Sequence, residues 1–294
     1  MTWMARLITV ILSLSLTTTS WAVIILDSTY KKSGFKKAEA LAWSPQFSSL
    51  IFLQSNAMDG SGSWIANYNG HGYILTAGHM FPSGTKAADY TYETLDGRDY
   101  HGEAVFLHPL WNANANDRTG YDFAIVRLKE EVTTGGMQPA LYKGSEERGK
   151  VLTMIGYGWR GTGTKGQDTS IETGDQPAAA QGLIESVVNA QVPTPKTGDA
   201  GNYLGLWLPK EDGSIPNPLT NQGITMPISP LVGILGSGDS GGPAWIYIKN
   251  GWVIAGINSD GNGNAAYGDI SWFPRVSAVQ DWIRLVVPNV RFIE

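Results

Sequence analysis

From Ser48 onward, short apolar runs alternate with glycine- and asparagine-rich punctuation. Residues 50–53 are apolar, Met58-Asp-Gly-Ser-Gly62 reads as a turn, and residues 63–66 resume the apolar pattern. Asn69-Gly-His-Gly72 is a second turn, and residues 73–77 form a buried strand. Further strands are predicted at about 102–107, 123–128 and 151–157. Short strands spaced ~8–12 residues apart, with turn residues between them, predict a sandwich or barrel. The polar stretch 129–149 is the best connection between two halves. Residues 159–180 and 193–230 read as long polar loops, which in a compact domain are functional or mobile. Residues 245–248 and 252–258 flank Asn250-Gly251, a type I′ hairpin signal. One helix closes the chain, over 277–287. Ser277 and Gln280 read as a capping box, Val279, Trp282, Ile283 and Val286 repeat at helical spacing, and Pro288 ends it.

Composition supports the same class. The chain has 294 residues, 42% hydrophobic and 16% charged, enough for a sizeable core in one large domain or two small ones. Its 36 glycines and 15 prolines favour an all-β fold rich in turns. A net charge of −5 argues against nucleic acid as the main partner. Residues 1–22 read as a cleaved secretory signal: a positive start, an apolar run over 7–16 too short to span a bilayer, and small residues in Ser20-Trp-Ala22. The mature chain then starts near Val23, secreted to the periplasm or beyond; the alternative is an uncleaved anchor. Otherwise no stable membrane anchor is expected. Residues 23–45 leave two readings open, a surface segment or a propeptide or activation region. There is no cysteine, which leans towards a bacterial exported protein.

The chemistry centres on Leu235-Gly-Ser-Gly-Asp-Ser-Gly-Gly-Pro-Ala-Trp245, a shaped loop that presents Ser240 between glycines. Gly238-Asp-Ser240-Gly-Gly242 fits a nucleophile elbow, but that arrangement needs a histidine after the serine. All four histidines, His71, His79, His101 and His108, precede Ser240. The order His, Asp, Ser remains, with His79 ending Leu75-Thr-Ala-Gly-His79 and Asp122 opening Asp122-Phe-Ala-Ile-Val-Arg-Leu128. Both sit at strand ends beside loops, where a scaffold holds a side chain well.

These three segments, with Gly156-Tyr-Gly158 and the closing Arg275-Val-Ser-Ala-Val-Gln-Asp-Trp-Ile283, resemble the chymotrypsin/trypsin family of serine endopeptidases. The resemblance covers roughly residues 47–284. It implies two perpendicular six-stranded antiparallel β-barrels with the site in the cleft between them and a C-terminal helix. The domain would run over 46–286, with the first barrel about 46–135 and the second about 150–275. His79 would be the base, Asp122 its orienting carboxylate and Ser240 the nucleophile. The N–H groups of Gly238 and Ser240 would form the oxyanion hole.

Asp239 would be a buried carboxylate needing a positive partner. Three candidates stand: a new terminus near 35–38, where the sequence reads Phe-Lys-Lys-Ala; Val23, exposed by signal removal; or a loop Arg or Lys. Ile234 takes the place at the base of the specificity pocket, with Ser259, Gly261 and Ser271 on its walls. An apolar base and small Gly261 suggest hydrophobic or medium-sized side chains at the cleaved position. Asp260-Gly-Asn-Gly-Asn264 resembles the start of a calcium loop, but Ala265 and Ser271 stand where Gly and Glu are needed, so a turn is expected. No cofactor or metal is expected, and there is no zinc-protease H-E-x-x-H motif. The expected function is a secreted serine endopeptidase, a monomer acting on protein or peptide substrates through an acyl-enzyme. A catalytically silent homologue that binds partners, or an esterase using the same triad, is the alternative.

Overall fold

A computed structural model describes residues 23–112, 119–171, 176–189, 201–220, 223, 225–249 and 251–294. The signal assigned to residues 1–22 lies outside them. The described chain enters through β1 (Ile24–Ile25), α1 (Asp27–Ser33) and α2 (Lys36–Ala42). Val23, Ile24, Ile25 and Leu26 are all buried, because four consecutive apolar residues have no polar face to turn outward. Over 23–45 the first four residues, Phe35, Ala38 and Ala42 are buried in the fold, while Tyr30, Lys31, Lys32, Lys36 and Lys37 are exposed.

The first half is a closed barrel. Its strands are β2 (Leu50–Gln54), β3 (Gly60–Tyr68), β4 (His71–Thr76), β5 (Thr91–Thr94), β6 (Asp99–Leu107) and β7 (Ala124–Leu128). They pair antiparallel in the order β2-β3-β4-β7-β6-β5, and β5 returns to β2. Leu53, Ile74, Leu75, Ile125 and Val126 are buried, on one face of the sheet or the other, in the first core. Register shifts after Trp64 and after Gly102 bend the long strands so that the sheet closes. The turn expected at 58–62 ends earlier than its composition suggests, since Gly60 and Gly62 already lie in β3. Their reason is space: a Cβ on Gly60 would stand 2.4 Å from Met80, and one on Gly62 2.8 Å from Ile74.

The second half contains β8 (Ala140–Tyr142), β9 (Val151–Gly156), β10 (Gly161–Thr162), β11 (Gly166–Gln167), β12 (Ala178–Leu183), β13 (Ser186–Val188), β14 (Tyr203–Trp207) and β15 (Gly233–Ile234). It continues with β16 (Pro243–Ile248), β17 (Gly251–Ile257), β18 (Asp260–Gly261) and β19 (Ile270–Pro274). The chain ends with α3 (Gln280–Val286) and β20 (Phe292–Ile293). One sheet runs β12-β9-β16-β17-β8-β20, and a second runs β13-β14-β19-β18. A bridge between Gly256 and Arg275 joins them, and they enclose Leu152, Met154, Leu204, Leu206, Val253 and Phe273. The entry strand β1 pairs with β10 and β15 and is part of this second core. β16 and β17 form the expected hairpin, with Ile248 opposite Gly251; Asn250 itself lies outside the described residues.

The halves meet along aromatic contacts. Phe52 stacks on Tyr157 with ring centroids 4.3 Å apart, and Phe47 packs against Trp245 at 5.4 Å. The closing helix is preceded by a tight turn over Val276–Val279, and Val279 and Ile283 bury the expected face. The expected capping box is absent. The Ser277 hydroxyl donates instead to Glu147 Oε1 at 3.2 Å, which also accepts from Arg275 Nε at 2.6 Å. That buried bidentate pair anchors the start of the helix to the second half.

Candidate active site

The end of β4 and the start of β7 lie side by side, with Thr76 opposite Ala124. This brings His79, three residues past β4, onto Asp122, two residues before β7. Asp122 is 2% exposed. Its Oδ1 accepts the His79 backbone N–H at 2.7 Å, and its Oδ2 lies 2.6 Å from His79 Nδ1. Ser259 Oγ donates to the same Oδ2 at 2.6 Å. Burial opposes charge on Asp122, but the imidazole and these hydrogen bonds outweigh it and hold the carboxyl below its ordinary range. An ionised carboxylate only accepts, so Nδ1 carries the proton and Nε2 is left as the basic atom. Burial works against protonation of His79, and Asp122 followed by Asp260 overcome it, so the imidazole sits above its ordinary value.

Gly78 explains the spacing Thr-Ala-Gly-His. Trp111 lies over it, and a Cβ there would come within 2.8 Å of the indole.

The serine loop is pinned from both halves. Ser61 N–H, in β3, donates to Ser240 O at 2.8 Å, and Asn258 Nδ2 donates to Asp239 O at 3.0 Å. Gly241 N–H donates to Asn258 O at 2.7 Å. Gly241 also lies against the end of β4, where a Cβ would be 2.0 Å from Thr76 Oγ1 and 2.9 Å from Ala77 N. Ser240 thus stands beside the turn that carries His79. No hydrogen bond joins the two side chains among the described residues.

The backbone of this loop divides by function. Asp239, Gly241 and Gly242 each donate their N–H to a protein carbonyl. Among the described residues, the N–H groups of Gly238 and Ser240 donate to none. Gly238 has φ +92°, a left-handed conformation that glycine adopts without strain. Two free amides on either side of Asp239 can serve a developing oxyanion.

A profile of the trypsin-like peptidase domain matches residues 60–223. The chain belongs to the trypsin-like peptidase family. The matched span holds His79 and Asp122 and stops before the Ser240 loop, so the third residue of this trypsin-like site rests on the loop geometry just described.

In this trypsin-like domain Asp239 is fully buried. Its carboxylate accepts N–H groups from Gly236 at 2.8 Å, Gly158 at 2.9 Å and Val23 at 3.1 Å. Burial pushes its pKa up to about 6, against the pull of Gly236, Gly158, Val23 and the nearby Arg160. Of the three candidate partners, the 35–38 region is not in contact: Phe35 instead packs under Arg160, 4.9 Å from the guanidinium. Arg160 is itself paired with Glu39 at 2.5 Å. Gly156-Tyr-Gly158 now has a cause. A Cβ on Gly156 would stand 2.5 Å from Asp239 Oδ1 and 2.9 Å from its Cα, and Gly158 supplies an N–H.

The four residues assigned to the specificity pocket fall in one place but divide in role. Ser271 lies opposite Gly261, and Leu235 N–H donates to Ser271 Oγ at 3.1 Å. Ile234 and Ser271 are each 1% exposed, whereas Gly261 is exposed. Ser259 has a contact the sequence did not suggest: its hydroxyl donates to Asp122. In the loop at 260–271, Asn262 Oδ1 accepts Ile270 N–H at 2.5 Å and Asp269 Oδ2 accepts Ala266 N–H at 2.8 Å. The calcium-like residues thus fold the turn itself. Sequence reasoning missed Ser61 and Asn258, which hold the serine loop. Asn258 had one signal, its place at a strand end directly before Ser259.

Proposed function

We propose that the chain is an exported serine endopeptidase working through an acyl-enzyme. The observation that carries this is His79, bonded through Nδ1 to a buried Asp122, next to a serine loop with two unclaimed amides. In this reading His79 Nε2 takes the Ser240 proton as Oγ attacks the substrate carbonyl. The N–H groups of Gly238 and Ser240 receive the oxyanion, an effect worth on the order of 3–4 kcal/mol per donor. His79 returns the proton to the leaving amine, and water then releases the acyl group by the same route. The unformed bond between Ser240 and His79 fits, because such bonds often tighten only around substrate. An apolar Ile234 and a small Gly261 favour hydrophobic or medium-sized side chains at the cleaved position.

Export supplies the partner of Asp239. Cleavage after Ala22 would make Val23 N an α-ammonium 3.1 Å from a carboxylate that burial otherwise penalises. Removal of the signal would then complete the site, with no separate propeptide. The purified protein should digest casein, lose that activity as Ser240→Ala, and begin at Val23 by N-terminal sequencing. Hydrolysis of a p-nitrophenyl ester without casein digestion would turn the reading to an esterase. Neither activity would turn it to a silent, binding homologue.

A further inference from the structure

Among the described residues, the strand β18 is the outer edge of its sheet, paired on one side only, to β19. Asn262 N–H donates inward to Ile270 O at 3.1 Å. By the period of two along a strand, the backbone groups of Asp260 also face β19, and those of Ser259 and Gly261 face out. The outward Gly261 N–H is capped by its neighbour, donating to Asp260 Oδ1 at 2.8 Å. The same short segment begins at Ser259, whose hydroxyl touches Asp122, so this free edge runs directly away from the triad.

An extended peptide laid antiparallel along such an edge would use the Gly261 N–H and C=O as its anchor. With its reacting carbonyl at the Ser259 end, the residue before the reacting one stands opposite Asp260. Directly opposed side chains share a face of the sheet. That residue therefore meets a half-buried carboxylate for which no Lys or Arg partner exists among the described residues. The other two carboxylates of the site, Asp122 and Asp239, are buried and fully engaged. Binding also takes the Gly261 N–H away from Asp260, and a cation on the substrate restores a partner to the released carboxylate.

We propose that Asp260 selects peptides carrying lysine or arginine immediately before the residue whose carbonyl Ser240 attacks. The proposal rests on the peptidase reading above. Asp260 is placed for a second effect as well, since its charge helps to hold the proton on His79.

The test is kcat/KM for three peptides that differ only at that position, with Lys, Met or Glu, at low ionic strength. Lys should exceed Met by about two- to fivefold, the range of an opposite-charge cross-strand pair, and Glu should be poorest. High salt should flatten the series in the wild-type protein. Asp260→Asn keeps an oxygen for the Gly261 N–H and removes the charge, so the Lys-to-Met ratio, taken at a pH above the acid limb of both proteins, should fall to about one. Equal rates for Lys and Met in the wild type, or a preference that survives high salt and Asp260→Asn, would overturn the proposal while leaving the peptidase reading intact. No cleavage of any of the three peptides, with Ser240 inert to a fluorophosphonate, would remove both.

Discussion

At the scale of single residues, the site depends on which form each titrating group holds. His79 sits above its ordinary value because Asp122 and then Asp260 outweigh its burial. A raised imidazole contributes stability that is complete below its unfolded value and is lost as pH rises through the folded one. Catalysis needs the neutral form, so activity grows over the range in which that stability fades. The acid limb of kcat/KM should therefore lie above the ordinary imidazole value of about 6.5, and Asp260→Asn should move it down. A pH profile of both proteins checks this. Asp122→Asn would place the proton on the wrong imidazole nitrogen and should cost on the order of 10⁴ in kcat, with the fold intact.

Among elements, two contacts carry more than their size suggests. The Gly156→Ala side chain would strike Asp239 at both its carboxylate and its Cα. The serine loop must then shift, with a loss of about 1–3 kcal/mol and most of the activity, read by thermal melting and peptide hydrolysis. Glu147 is fully buried under Arg275. Glu147→Leu leaves that guanidinium buried without its carboxylate and should cost about 3–5 kcal/mol, seen as a lower denaturant midpoint. Much of this was legible in the chain. Short apolar runs between turn residues gave most of the barrel strands, and the order His79, Asp122, Ser240 pointed to the residues of the proposed site. The bond from Ser259 to Asp122 was not legible, because a strand end does not show which way a hydroxyl turns. Ser277 looked like a helix cap because nothing local reveals Glu147, 130 positions away. Tyr203–Trp207 was lost in an expected loop, since a glycine interrupts its apolar run and its partner strand lies far along the sequence.

For the whole molecule, the entry segment ties the first described residues to the catalytic loop. Val23 and Asp239 are separated by 216 positions yet share a hydrogen bond in the second core. With an uncharged amide at Val23, Asp239 has a folded value of about 6, above an ordinary carboxylate. Its contribution to stability is then complete at low pH and is lost as pH rises through that value. An α-ammonium at Val23 removes the deficit. A chain extended by a few residues before Val23 should thus melt progressively below the Val23-initiated chain as pH rises from about 4 to 6, and stay below it above that. It should also show less peptidase activity at the upper end. Differential scanning of the two chains across that range is the check.

Covalent labelling of the nucleophile reaches the central claim most directly. The Val23-initiated protein is treated with a fluorophosphonate, and the adduct is mapped by mass spectrometry. Labelling on Ser240 alone is predicted, slowed strongly by His79→Ala and absent in Ser240→Ala. An unmodified Ser240 in the folded protein, or labelling as fast without His79, would contradict a serine activated by that imidazole.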